Sequence, residues 1–224
     1  MARKKQAAEG SLSGSIFLGG VSALIGVLIG FVNLLNLDVQ EVKEIPEAEE
    51  IDTKAVYYIA GSQRGGSAWK TKRSLLARGR VGTLTFTEGE LNSWARSSFK
   101  PDPKSEEPSG GFLGITAEQM NFRIFDGQMQ VSARVKSSLI PGGKSYLFQS
   151  TGTFAKSGDQ FAFVPDRAVI ATCPIPGLGG VASMAFGMFM PAFVASKEYT
   201  ELNPSWAALL DVAVAGNKLN LVHP

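Results

Sequence analysis

Few side chains in this sequence have the types and spacing that catalysis uses. Ser67-Ala-Trp-Lys70 places a lysine one helical turn beyond a serine, the spacing at which an amine can activate a hydroxyl nucleophile. The Ser-Asp-Asn and Lys-Thr-Gly phrases that complete such a site are both absent, and Ser67 also suits a helix N-cap after Gly65-Gly66. Pro141-Gly-Gly-Lys-Ser145 ends like a phosphate-binding loop, yet position 138, where the first glycine belongs, is Ser138. Glu88, Glu90 and Asp166 are carboxylates that acid/base chemistry could pair, but acidic residues at a helix start also serve the helix dipole. With one histidine (His223, next to the end) and one cysteine (Cys173), neither a His/Cys zinc set nor a Ser-His-Asp triad has its parts. We therefore expect no catalytic residues, no metal and no cofactor.

The side chains that invite a binding function are apolar. Met184, Phe186, Met188, Phe189 and Phe193 crowd one segment, and flexible thioethers beside aromatic rings suit an adaptable apolar surface. The competing reading is an ordinary buried helix, kinked or ended by Pro191. A formal net charge of +2 gives no polyelectrolyte character, so no nucleic-acid partner is expected.

These residues must be positioned by a chain that begins at a membrane. The run from Ile16 to Leu37 has no charged residue, nor is there one anywhere between Glu9 and Asp38. About 20 apolar residues span a bilayer core, which assigns residues 15–37 to a transmembrane helix. Arg3, Lys4 and Lys5 precede it, so residues 1–14 should stay cytoplasmic and the remainder should cross. A cleaved signal peptide would have a shorter apolar run and small residues at the cleavage site, and a lipid-anchored form would need a cysteine just after the run. Ser22, Gly26 and Gly30 recur every fourth residue, with Gly19 and Asn33 seven to either side of Gly26. Such a face suits close approach of a second helix, by self-association or with a membrane-protein partner, although glycine is also common in membrane helices.

Beyond the span, residues 38–54 are acidic and contain Pro46, as expected for a solvated stalk with at most a short helical piece. Residues 55–224 should form one α+β domain. Ala55 to Ala60 suits helix or strand, and Ser67 to Arg80 suits a helix whose basic residues form a solvated face or attract anionic lipid. Val81 to Phe86 suits a strand. Thr87-Glu88-Gly89-Glu90 is a capping box, and the helix behind it puts Leu91, Trp94, Ala95 and Phe99 on one core-facing side. Proline and polar residues mark about 100–111 as a flexible loop.

Met120, Phe122 and Ile124, then Met129, Val131, Ala133 and Val135, alternate with polar residues around Asp126-Gly127. That predicts a hairpin with one buried and one wet face. A Pro141-Gly142-Gly143 turn, strands over 145–154, 161–164 and 168–173, an Asn203-Pro204 helix start and a hairpin over 212–222 complete the expected meander.

From Val81 onward this order resembles that of small membrane-anchored bacterial proteins of uncharacterised function. The resemblance rests on Thr87-Glu88-Gly89-Glu90-Leu91-Asn92, the Asp126-Gly127 hairpin, the aromatic strands and Pro174-Ile175-Pro176 before an apolar helix. Those proteins are similar in outline to tubular lipid-binding (BPI-like) domains, in which a curved sheet wraps a long helix. The resemblance implies a bacterial inner-membrane location and a lipid partner, and supplies no catalytic residues. The chain is shorter than a full tubular domain.

The expected architecture is thus α+β, with an N-terminal single transmembrane helix followed by a curved antiparallel sheet packed against apolar helices. The expected function is non-catalytic binding of lipid or another apolar ligand near the membrane. The alternative is an accessory or scaffold subunit of a cell-envelope membrane complex.

Overall fold

The computed structural model describes residues 12–52, 55–80, 82–98, 115–137, 145–175, 183, 186, 187, 194 and 196–224. Among these residues the fold is mixed α+β, with one apolar N-terminal helix and three sheets. Helix α1 is Leu12–Asn36, and its Gly19–Asn36 stretch is long and apolar enough to cross a membrane, with none of that stretch buried in the fold.

Strand β1 (Asp38–Val42) follows at once and pairs in parallel with β2 (Ala55–Ile59). The acidic segment expected to be a solvated stalk therefore starts as a strand. Val39 and Val42 are half-buried, while Asp38, Gln40 and Glu41 face water. Two valines three positions apart carry no period-2 signal, so nothing in this short acidic segment marked it as a strand.

Helix α2 (Ala68–Ala77) leads to β3 (Gly82–Thr87) and α3 (Glu88–Ser98). Ser67 occupies the N-cap position of α2 but its hydroxyl makes no capping bond. The Thr87–Glu90 capping box forms as expected: the Thr87 N–H donates to Glu90 Oε2 at 2.8 Å, and the Glu90 N–H donates to Thr87 Oγ1 at 3.3 Å.

The central sheet is an open antiparallel meander of β4 (Ile115–Phe125), β5 (Gln128–Ser137), β6 (Ser145–Ser157), β7 (Gln160–Ile170) and β8 (Cys173–Ile175). Asp126 and Gly127 both have positive φ (50° and 72°), the two-residue turn that matches strand twist. The expected strand over 168–173 is divided: β7 runs through to Ile170, and a turn at Ala171-Thr172 returns it as β8.

Helix α4 is Lys197–Ala207, begun by Ser196, whose hydroxyl accepts from the Tyr199 N–H at 3.1 Å. Asn203-Pro204 thus lies inside a helix and does not start one. The missing proline N–H leaves the Thr200 carbonyl without its helical donor, and Thr200 is exposed, so water can serve. Strands β9 (Asp211–Ala215) and β10 (Lys218–His223) form the expected hairpin, and β10 also pairs with β3. His223 is consequently buried in a strand rather than frayed. The loop at about 100–111, Phe99 and the Pro141-Gly142-Gly143 turn lie outside the described residues.

Candidate functional site

Alternation gives the five-stranded sheet two chemically different faces, and the structure covers both. On the polar face, Asn121 and Ser132 were expected in water. Instead Ser132 is only 1 % exposed and Gln130 only 7 %, because β2 and the segment after it lie across them. The Tyr58 hydroxyl shares a 2.6 Å hydrogen bond with Ser132 Oγ and donates to Asn121 Oδ1 at 3.1 Å. Asn121 Oδ1 also accepts from the Gly61 N–H at 2.7 Å. Burial raises the Tyr58 pKa, so the phenol stays neutral as a bridging donor.

The edge of β4 is closed by the Thr87–Asn92 phrase. Asn92 Nδ2 donates to the Phe122 and Ser62 carbonyls, and its Oδ1 accepts from the Phe122 N–H at 2.6 Å. Glu88 accepts from the N–H groups of Ile124 and Ser62. A Cβ on Gly61 would sit 1.7 Å from the Phe122 carbonyl oxygen, so only glycine lets the chain pass this close. The carboxylates considered for acid/base work are thereby spent on structure and do not converge. Glu90 pairs with Lys72 at 2.6 Å, and Asp166 accepts from Gln128. This polar side retains a pocket of only about 130 Å³, between Glu41, Tyr58, Asn121 and Arg134.

The apolar face is different. Between it, the three-stranded sheet and helices α3 and α4 lies a cavity of about 530 Å³, within the range of small-molecule sites. Its deep end is Phe86, Met129, Leu219 and Leu221, all at most 4 % exposed. Leu91, Trp94 and Ala95 of α3 form one wall, Phe122, Phe154 and Phe163 another. Tyr199, Leu202, Asn203 and Trp206 of α4 line the remainder. The rings meet edge-on or tilted: Phe154 to Phe163 at 5.7 Å, Phe154 to Trp206 at 6.1 Å and Phe163 to Phe186 at 5.0 Å between centroids.

Polar atoms on this lining are satisfied sideways. The Trp206 indole donates to the Phe161 carbonyl at 2.8 Å, and that of Trp94 to Glu198 Oε1 at 2.8 Å. Arg73 of α2 holds Glu198 at 2.8 Å and also grips Glu201, which ties α4 to α2. Burial acts to raise the Glu198 pKa, but Arg73 and the Trp94 N–H outweigh it and the carboxyl sits below its ordinary value. Two of the basic residues of α2, Lys72 and Arg73, are thus neither a free solvated face nor available to lipid.

Of the five apolar residues singled out in the sequence, Phe186 lines this cavity and also contacts Phe148, joining the two core clusters. Met184, Met188, Phe189 and Phe193 lie outside the described residues. Ser22, Gly26, Gly30 and Asn33 are all exposed on α1, and a Cβ built on either glycine meets nothing within 4 Å. The lining residues on α3 had been assigned to the core. Phe154 and Phe163 fall within the strands expected over 145–154 and 161–164, but a strand pattern does not say whether an inward residue faces filled or empty space. No protein family, curated protein or solved structure matches the chain.

Proposed function

We propose that this protein is a single-pass membrane-anchored binding protein whose domain holds a lipid or other apolar ligand without acting on it chemically. The observation that carries this reading is the 530 Å³ aromatic and aliphatic cavity. A void lined by apolar side chains is costly to leave empty and is wetted poorly, so an apolar occupant is favoured. Among the described residues, Glu198 beside the cavity is ion-paired with Arg73, and Glu88 at the start of α3 accepts from a backbone N–H.

Retention of α1 is supported by its junction with the fold. Leu35 and Val39 pack on the Ala133–Ala171 cluster, and Thr172 Oγ1 donates to the Leu34 carbonyl at 2.6 Å. Cleavage there would remove part of that packing. Arg3, Lys4 and Lys5 favour a cytoplasmic N-terminus with the domain on the far side, and the resemblance noted above implies a bacterial inner membrane.

The full chain in amphipol should enhance the fluorescence of a neutral apolar probe such as N-phenylnaphthylamine. Phe163→Asp should remove the enhancement while the thermal transition persists. A folded wild type that binds no apolar probe would sink the proposal. The alternative, an accessory subunit held in a complex through the span, draws on the exposed Ser22, Gly26, Gly30 and Asn33 face. Leucine at both glycines should then lower crosslinking yields without affecting insertion.

A further inference from the structure

The cavity has a direction. Its deep end contains Phe86 at 0 % and Leu221 at 1 % exposure, whereas Tyr199 on its α4 side is 36 % exposed and Ala162 is also open to solvent. No charged side chain is among the described residues that line it. At the open side the polar side chains are Gln160, Asn203 and Tyr199. Glu198, beside Tyr199, is committed to Arg73 and to the Trp94 indole. Lys156, paired across the ladder with Phe161, stays exposed beyond the lining.

We infer that the site takes a single hydrocarbon chain, methyl end first, and leaves the head group in water between α4 and the β6–β7 turn. This rests on the apolar-ligand reading above and adds the ligand's class and orientation. A charge carried to the Phe86–Leu221 end would lose its hydration and find no partner there. A charge left at the open side would lose little. Recognition is then of the chain, and the head group matters only weakly. A free fatty acid and a one-chain membrane lipid share that chemistry.

The test compares ligands on the unmodified full chain. After incubation in a saccharide detergent with palmitate, lysophosphatidylcholine or hexadecanedioic acid, native mass spectrometry counts one-to-one adducts against ligand concentration. Palmitate and lysophosphatidylcholine should load at similar concentrations. The diacid, charged at both ends, should need at least about 100-fold more, because one carboxylate would have to be buried unpaired. Equal loading by the diacid would overturn the inference and leave an open groove that binds apolar surface. Loading by palmitate but not by the lysolipid would overturn the head-out orientation. If no ligand loads, and the neutral probe also fails to bind, it is the apolar-site reading itself that falls.

Discussion

The two faces of the central sheet are covered by different physics. Across the polar face, Tyr58, Gly61, Asn121 and Ser132 meet through hydrogen bonds of 2.6–3.1 Å, and the remaining pocket is about 130 Å³. Across the apolar face, rings meet at centroid distances of 5–6 Å and a cavity of about 530 Å³ persists. Hydrogen bonds weaken steeply with distance and angle, so a polar interface must close or leave groups unsatisfied. Apolar contacts are non-directional, and large rings braced against one another can hold a space open. The difference predicts that the polar face is intolerant of small changes and the apolar face more forgiving.

The largest loss is expected at Gly61, where the polar face is tightest. Gly61→Val should cost about 4 kcal/mol or more, since the added carbon collides with a backbone carbonyl that cannot yield. Chemical unfolding of the full chain measures it. A loss below about 1 kcal/mol would show that the chain passes β4 loosely and that the polar face is not tightly closed.

Asn92→Leu comes next. It keeps the size of the side chain but strands the Phe122 N–H and carbonyl and the Ser62 carbonyl, for an expected loss of about 3 kcal/mol. Hydrogen exchange at Phe122 should accelerate in parallel. Unchanged exchange there would mean that water or another group already serves this edge.

Acid gives a smaller and graded effect. Glu90 and Glu198 both have folded pKa values held below the ordinary 4.5, burial acting upward and being outweighed by Lys72 and Thr87 in one case, Arg73 and Trp94 in the other. A depressed folded pKa means that the unfolded chain binds protons first. Their contribution is therefore fully present above the ordinary carboxylate range and is lost as pH falls through the folded values. The urea midpoint should decline below about pH 4.5, and Arg73→Met should flatten that decline. A midpoint in Arg73→Met with the same acid slope as wild type would detach α4 from this ion pair.

The smallest change belongs to the apolar face. Phe163→Leu enlarges a space that is already open and should cost only about 1 kcal/mol, with apolar-probe binding retained. A loss of about 3 kcal/mol or more, the size seen when a packed phenylalanine is cut back to alanine, would show that the cavity is filled in the native protein.

Much of the local architecture was legible in the residues. The uncharged run gave α1, Asp126-Gly127 gave the hairpin turn, and Thr87–Glu90 gave the start of α3, because each depends on neighbours within a few positions. The Asn203-Pro204 signal failed because an equally good cap, Ser196, stands seven residues earlier and the open Thr200 carbonyl faces solvent. The strand at Asp38–Val42 was not legible because its two valines stand three positions apart among acidic residues, without the period-2 pattern of a strand.

That β4 and β5 have two unlike faces follows from residue order alone, since strand side chains alternate whatever the tertiary context. What covers each face was decided only in three dimensions. Tyr58 reaches Ser132 across 74 positions and Gly61 reaches Asn121 across 60, so no local pattern could announce that the wet face is dry. The same holds for the cavity. Burial favours Phe86, Trp94, Phe154, Phe163 and Trp206 pointing inward, but whether inward-facing rings meet or stand apart depends on how two sheets and two helices are set. That setting comes from the Arg73–Glu198 and Asn92–Phe122 contacts, which join residues distant in the chain.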